Sequence, residues 1–131
     1  MAKLTSQQVN ELANYFLVMA QAVGDYRYQN FDNLSKEQNI EIKELLEFIR
    51  KCADDLFSLS SSLIMIDVQT SLAAIGEVTN QMKITYKTLQ DIQKAINIAA
   101  SVATLGKAIL NKDLHLIRNA TEGLADKWKS I

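Results

Sequence analysis

The chain of 131 residues has no proline, one cysteine and one histidine. A lone Cys52 excludes an internal disulfide, and a lone His115 excludes a metal site built on a pair of histidines, including the ferritin-like arrangement of two Glu-x-x-His motifs. The net charge of −1 argues against binding to nucleic acid, which needs clustered Lys and Arg to displace counterions. Each of the four glycines stands alone, so the sequence has no glycine-rich phosphate loop.

Long apolar runs are also missing. The longest segments without a charged residue are Leu12–Gly24, of 13 residues, Ala95–Gly106, of 12 residues, and Leu56–Ile66, of 11 residues. All three are shorter than the roughly 18 residues that a membrane-spanning helix needs. The chain is polar from Thr5 to Gln8 and lacks the apolar stretch of a secretory signal there. We therefore expect a cytoplasmic protein.

Apolar residues recur three and four positions apart along most of the chain, which is the spacing of amphipathic helices. Hydrophobic residues make up 48% of the sequence, enough for one compact helical domain over residues 1–131. Thr5-x-x-Gln8 and Ser35-x-x-Gln38 have the spacing of a capping box, and Asp113 can cap a final helix. The predicted helices cover approximately residues 5–29, 35–63, 67–110 and 113–129.

The second and third predicted helices carry the most regular apolar seams. One seam runs from Ile42 to Ile66 and the other from Ile75 to Leu110, which favours side-by-side packing of the coiled-coil kind. We predict an all-α, four-helix up-down bundle with a long, coiled-coil-like central hairpin. The first seam loses its register after Ile66, which puts the turn of this hairpin between about Ser60 and Thr70. A single continuous helix with a slipped stripe is the alternative.

Charge is distributed unevenly along the chain. Residues 36–55 carry six acidic and four basic side chains, and residues 107–129 carry five basic and three acidic ones. The 51 residues from Leu56 to Gly106 carry only six charges. A helix that is apolar on more than one face must be covered on more than one side. The cover can come from the chain's own bundle, from an oligomer or partner interface, or from a membrane.

Two segments are candidate interfaces. Small residues lie on successive turns of the third predicted helix and would let another helix approach closely: Ala95, Ala99, Ala103 and Gly106. The segment between the first two predicted helices is rich in the residue types of binding hot spots: Tyr26, Arg27, Tyr28 and Phe31. For the second segment, a packed cap at the end of the bundle is the more ordinary interpretation.

No catalytic, cofactor-binding or metal site is predicted. Cys52 lies on the apolar seam, where a cysteine acts as a small buried hydrophobe, and its only candidate base is His115. Glu37, Glu41 and Glu44 share a helix face, as carboxylate ligands would, but such a face is ordinarily solvated.

The sequence therefore favours a non-enzymatic helical interaction or scaffold protein. We expect it to form a homo-oligomer, with a different protein partner also possible, and to bind no nucleic acid and no cofactor. The alternative function is a small membrane-active or pore-associated protein that acts through residues 56–66 or 95–110.

Overall fold

The computed structural model describes residues 2–59, 63–65 and 68–130. These residues form five α-helices, which we number in chain order: α1 (Ser6–Gln29), α2 (Lys36–Ser58), α3 (Val68–Thr85), α4 (Ile92–Leu110) and α5 (Leu114–Lys129). Short 3-10 turns occur at Phe31–Asn33 and Tyr86–Thr88. The predicted all-α class is confirmed. Its one exception among these residues is a two-residue antiparallel pairing of β1 (Ala2–Lys3) with β2 (Ile64–Met65).

The predicted helix starts are confirmed for α1, α2 and α5. The Thr5 hydroxyl accepts a hydrogen bond from the Gln8 backbone N–H at 3.1 Å, and the Gln8 side chain accepts one from the Thr5 N–H at 2.9 Å. Ser35 and Gln38 form the same reciprocal pair. The Asp113 carboxylate accepts from the Leu116 N–H at 3.1 Å. These bonds satisfy backbone donors that have no partner within the helix.

The single predicted helix over 67–110 is wrong, because these residues form two helices, α3 and α4, separated by residues 86–91. The Thr88 hydroxyl donates to the Thr85 carbonyl at 2.6 Å, which satisfies an acceptor at the point where the α-helix ends. The Asp91 side chain then accepts from the Lys94 N–H at 3.2 Å and caps α4.

Tyr86 anchors this break in the core. Its ring is fully buried against the ring of Tyr26, with 5.3 Å between the ring centroids. Its hydroxyl donates to the carbonyl of Ala95 in the first turns of α4. Burial raises the pKa of the Tyr86 hydroxyl above its ordinary range. The break therefore turns a large aromatic side chain inward and ties it to the start of the next helix.

The helix is also interrupted between α2 and α3, and the interruption overlaps the range of about Ser60 to Thr70 predicted from the seams. Helix α2 ends at Ser58, Leu59 is extended, and the Leu4 N–H donates to the Leu63 carbonyl at 2.9 Å, next to the β1–β2 pairing. The alternative of one continuous helix is therefore wrong. Residues 60–62, 66 and 67 lie outside the described residues, so the predicted end of one helix at 63 and start of the next at 67 cannot be compared there.

Contacts between the helices give their order around the bundle. Helix α1 packs against α2 and α3, α4 packs against α2 and α5, and α3 packs against α5, with a smaller contact between α1 and α4. In the predicted central hairpin, α2 packs against one long helix over residues 67–110. In the structure that helix is divided into α3 and α4, and α2 packs against α4. The buried apolar residues of all five helices belong to one hydrophobic cluster.

The two buried tyrosines provide a matched test of this packing. The Tyr26 hydroxyl is buried and has no hydrogen-bond partner in the described part of the chain, whereas the Tyr86 hydroxyl bonds to Ala95. We expect Tyr86→Phe to lower the free energy of unfolding by about 1 kcal/mol, because it removes a buried hydrogen bond. Tyr26→Phe should leave stability unchanged or raised, since it removes an unsatisfied group. Urea unfolding checks both, and equal losses would contradict this assignment.

Candidate functional site

The small-residue candidates of α4 lie inside the chain. Ala95 and Ala99 are fully buried, and Ala103 and Gly106 are also buried. Ten of the 19 residues of α4 are buried, because α1, α2 and α5 all pack against it. These four residues therefore form a contact between helices of one chain and are not on the surface available to a partner.

Gly106 shows how close that contact is. A Cβ atom placed on Gly106 would lie 2.8 Å from the Cys52 Sγ of α2 and 3.1 Å from the Phe16 Cε1 of α1. Separations this short are below ordinary van der Waals contact. The missing side chain of Gly106 is what allows three helices to meet at this level of the core.

Cys52 is buried at this meeting point, and its surroundings do not activate it. Burial and, to a lesser extent, the neighbouring Asp55 carboxylate raise the pKa of the thiol to about 11, so the nucleophilic thiolate is scarce at neutral pH. His115, the predicted candidate base, is exposed on α5. Within the described ranges, no group of three or more His, Cys, Asp or Glu side chains is placed to hold a metal ion.

The structure divides the aromatic candidate segment into a buried and an exposed part. Tyr26 is fully buried in the core, whereas Tyr28 is 85% exposed and Phe31 is 51% exposed. The Arg27 Nε donates to the Asn39 side chain of α2 at 2.8 Å, and the guanidinium lies 5.7 Å from the centre of the Phe31 ring. Arg27 is thus held in place beside an exposed aromatic ring.

Several large apolar side chains of the described residues are exposed. Three lie on α2, namely Ile40, Phe48 and Phe57, whereas Tyr28 lies at the end of α1 and Phe31 in the turn that follows it. The others are Ile64, Ile84 and Leu116. Single exposed apolar residues are normal, so the informative feature is that α2 carries three of them.

Helix α5 borders two grooves that the sequence analysis did not predict. Between α3 and α5, two adjoining hollows of about 390 and 350 Å³ share Ala74, Ala125 and Lys129. Between α4 and α5, two hollows of about 220 and 190 Å³ share Lys127. The second groove passes over Gly123, and a glycine in the middle of a predicted helix was the sequence signal that could have indicated it.

Of the segments named for the membrane alternative, residues 95–110 make up most of α4, and most of them are buried. The described part of the other segment is mixed, because Leu56, Leu63 and Met65 are buried whereas Phe57 and Ile64 are exposed. Residues 60–62 and 66 lie outside the described residues. None of the helices in the described part of the chain combines the length and the apolar character needed to cross a membrane.

Comparison of the chain with protein-family models, with curated proteins and with solved structures finds no match. Any functional conclusion therefore depends on the residues of this chain alone.

A glycine pair tests the close contact in the core. Gly106→Ala forces a Cβ atom against Cys52 and Phe16, so we expect a loss of about 1–3 kcal/mol in the free energy of unfolding. In the control Gly24→Ala, the new Cβ would lie 3.7 Å from the Leu46 methyl groups, which is ordinary contact. The control should gain about 0.5–1 kcal/mol from helix propensity. Stabilisation by both substitutions in thermal unfolding would contradict the assigned contact.

Cys52 provides a second test. Native protein at pH 7 should react slowly with iodoacetamide, and protein unfolded in urea should react rapidly, because the buried thiol stays protonated. Folding raises the pKa of Cys52 from 9.0 to about 11, so its stabilising contribution is complete below pH 9 and is lost as the pH rises through about 11. Rapid alkylation of the native protein at pH 7 would show that the thiol is accessible and activated.

Proposed function

We propose that this chain is a non-enzymatic helical interaction protein that associates with further copies of itself. The observation that carries the proposal is the separation of charge across the bundle. Residues 36–55, which include most of α2, have a net charge of −2, and residues 107–129, which include α5, have a net charge of +2. Helix α4 packs against both α2 and α5. Surfaces of opposite charge on one molecule attract each other between molecules and orient the encounter.

The charge-poor segment from Leu56 to Gly106 is not the basis for self-association. Its C-terminal part lies in α4, and more than half of the residues of α4 are buried by other helices of the same chain. Charge separation and the exposed apolar residues along α2 are the features that support the proposal.

The state of the two residues most suited to nucleophilic catalysis supports the non-enzymatic part of the proposal. Cys52 is buried with a raised pKa, and His115 is exposed on a different helix. A cysteine nucleophile needs a base beside it and a lowered pKa. We propose the cytoplasm as the compartment, where a lone thiol such as Cys52 remains reduced.

A second candidate function is binding to a different protein through Arg27, Tyr28 and Phe31. The observation that favours it is the ordered guanidinium beside an exposed aromatic ring, with a second exposed aromatic residue close by in sequence. Tyrosine, arginine and phenylalanine at such a surface are typical of protein interfaces.

Light scattering tests self-association directly. We expect the molar mass to rise above the 14.7 kDa of one chain as the concentration increases to about 50 µM and beyond. Raising the NaCl concentration to about 0.5 M should lower the mass, because screening weakens attraction between exposed charges. A mass of 14.7 kDa at every concentration and salt level would overturn the proposal.

A further inference from the structure

The groove between α4 and α5 has a basic lining. Its first hollow is lined by Lys94, Asn97, Ile98, Lys127 and Ser130. Its second adds hydroxyl and small residues, among them Ser101, Thr104 and Gly123. Among the residues described as lining these two hollows, two are lysines and none is acidic. The α3–α5 groove, in contrast, is lined by side chains of both signs, including the paired Arg118 and Glu122.

Gly123 is an unexplained residue in this groove. Glycine in the interior of a helix is destabilising, and a close neighbour ordinarily accounts for it. Gly76 and Gly106 have such neighbours, since an added Cβ on either would come within 2.8 Å of a side-chain atom. A Cβ on Gly123 would meet nothing within 4 Å. Gly24 likewise has only ordinary contacts, but Gly123 also lines a groove, where a missing side chain would let a helix approach the α5 backbone.

Helix α2 carries an exposed surface of the opposite charge. Glu37, Glu41 and Glu44 follow each other four and three residues apart, so they lie on one face of the helix, and all three are exposed. Phe48 continues the same face four residues later and is 38% exposed. We call Glu37, Glu41, Glu44 and Phe48 the acidic stripe.

We propose that the occupant of the α4–α5 groove is the acidic stripe of α2 from a second copy of this chain. The stripe's carboxylates would face Lys94 and Lys127, and the α2 backbone would approach closest over Gly123. The three glutamates span about 10 Å along α2, and the groove runs about 15 Å along α4 from Lys94 to Thr104. This inference rests on the proposed self-association and specifies its interface.

The two surfaces differ, so the contact is heterologous. Each copy offers one stripe and one groove, and association continues head to tail unless the rotation between copies closes a ring. Stripe and groove are separate sites on the same chain, and they can therefore be removed independently.

Two neutralised variants test the pairing. The first, Glu41→Gln with Glu44→Gln, keeps the groove and loses charge on the stripe. The second, Lys94→Gln with Lys127→Gln, keeps the stripe and loses charge in the groove. Each variant alone should self-associate at least tenfold more weakly than the wild type in light scattering. An equimolar mixture should form a one-to-one complex of two chains and no larger species, because only one stripe and one groove remain intact.

Control variants separate the possible failures. Gly123→Leu should fill the groove and prevent association while circular dichroism shows a folded protein. Ile84→Ser, which changes an exposed apolar residue of α3 outside both surfaces, should associate like the wild type. A wild type that stays monomeric would overturn both the proposed function and this interface. A wild type that associates, with neutralised variants that associate equally well or do not restore each other, would overturn the interface alone.

Discussion

The fold depends on one constraint, the need to cover α4 on almost every side. Its apolar and small residues leave only a narrow polar face, and more than half of its residues are buried. A single rod continuing from α3 would leave much of that surface without neighbours. The chain instead ends α3 at Thr85, turns Tyr86 into the core and restarts at Asp91, which allows α1, α2 and α5 to pack around α4. Gly106 then sets how closely they approach.

Covering α4 also determines what the surface can do. Because α4 lies in the interior, its small residues are not accessible to another molecule. Helices α2 and α5 pack against α4, and the segments that contain them carry most of the charged residues. Apolar side chains collect along α2, while lysines line the groove beside α5. The molecule thus has two unlike surfaces, and an electrostatic field with this asymmetry steers association more than it strengthens it.

Local signals made the helix starts predictable, and a periodic signal concealed the break. Thr5, Ser35 and Asp113 mark the N-termini of their helices in the sequence, because each cap depends only on residues a few positions away. Asp91 before Ile92 is an equally local cap signal, but the apolar seam continued through Leu89 and Ile92 at helical spacing and favoured one long helix. Periodicity reports which residues face inward and is insensitive to a six-residue interruption that preserves the phase. The grooves beside α5 depend on which helices become neighbours, and the sequence pattern does not determine that.

The division at residues 86–91 also bears on how quickly the chain can fold. Helices α1 and α2 are sequence neighbours that pack together, and so are α4 and α5, while α3 connects the two pairs. Contacts between sequence neighbours close short loops, so each pair can form early at a small entropic cost, and chains dominated by such contacts fold in microseconds to milliseconds. The contacts of α4 with α1 and α2 span at least the whole of α3, so we expect them to form late. The level of Phe16, Cys52 and Gly106 is then where the two helix pairs come together.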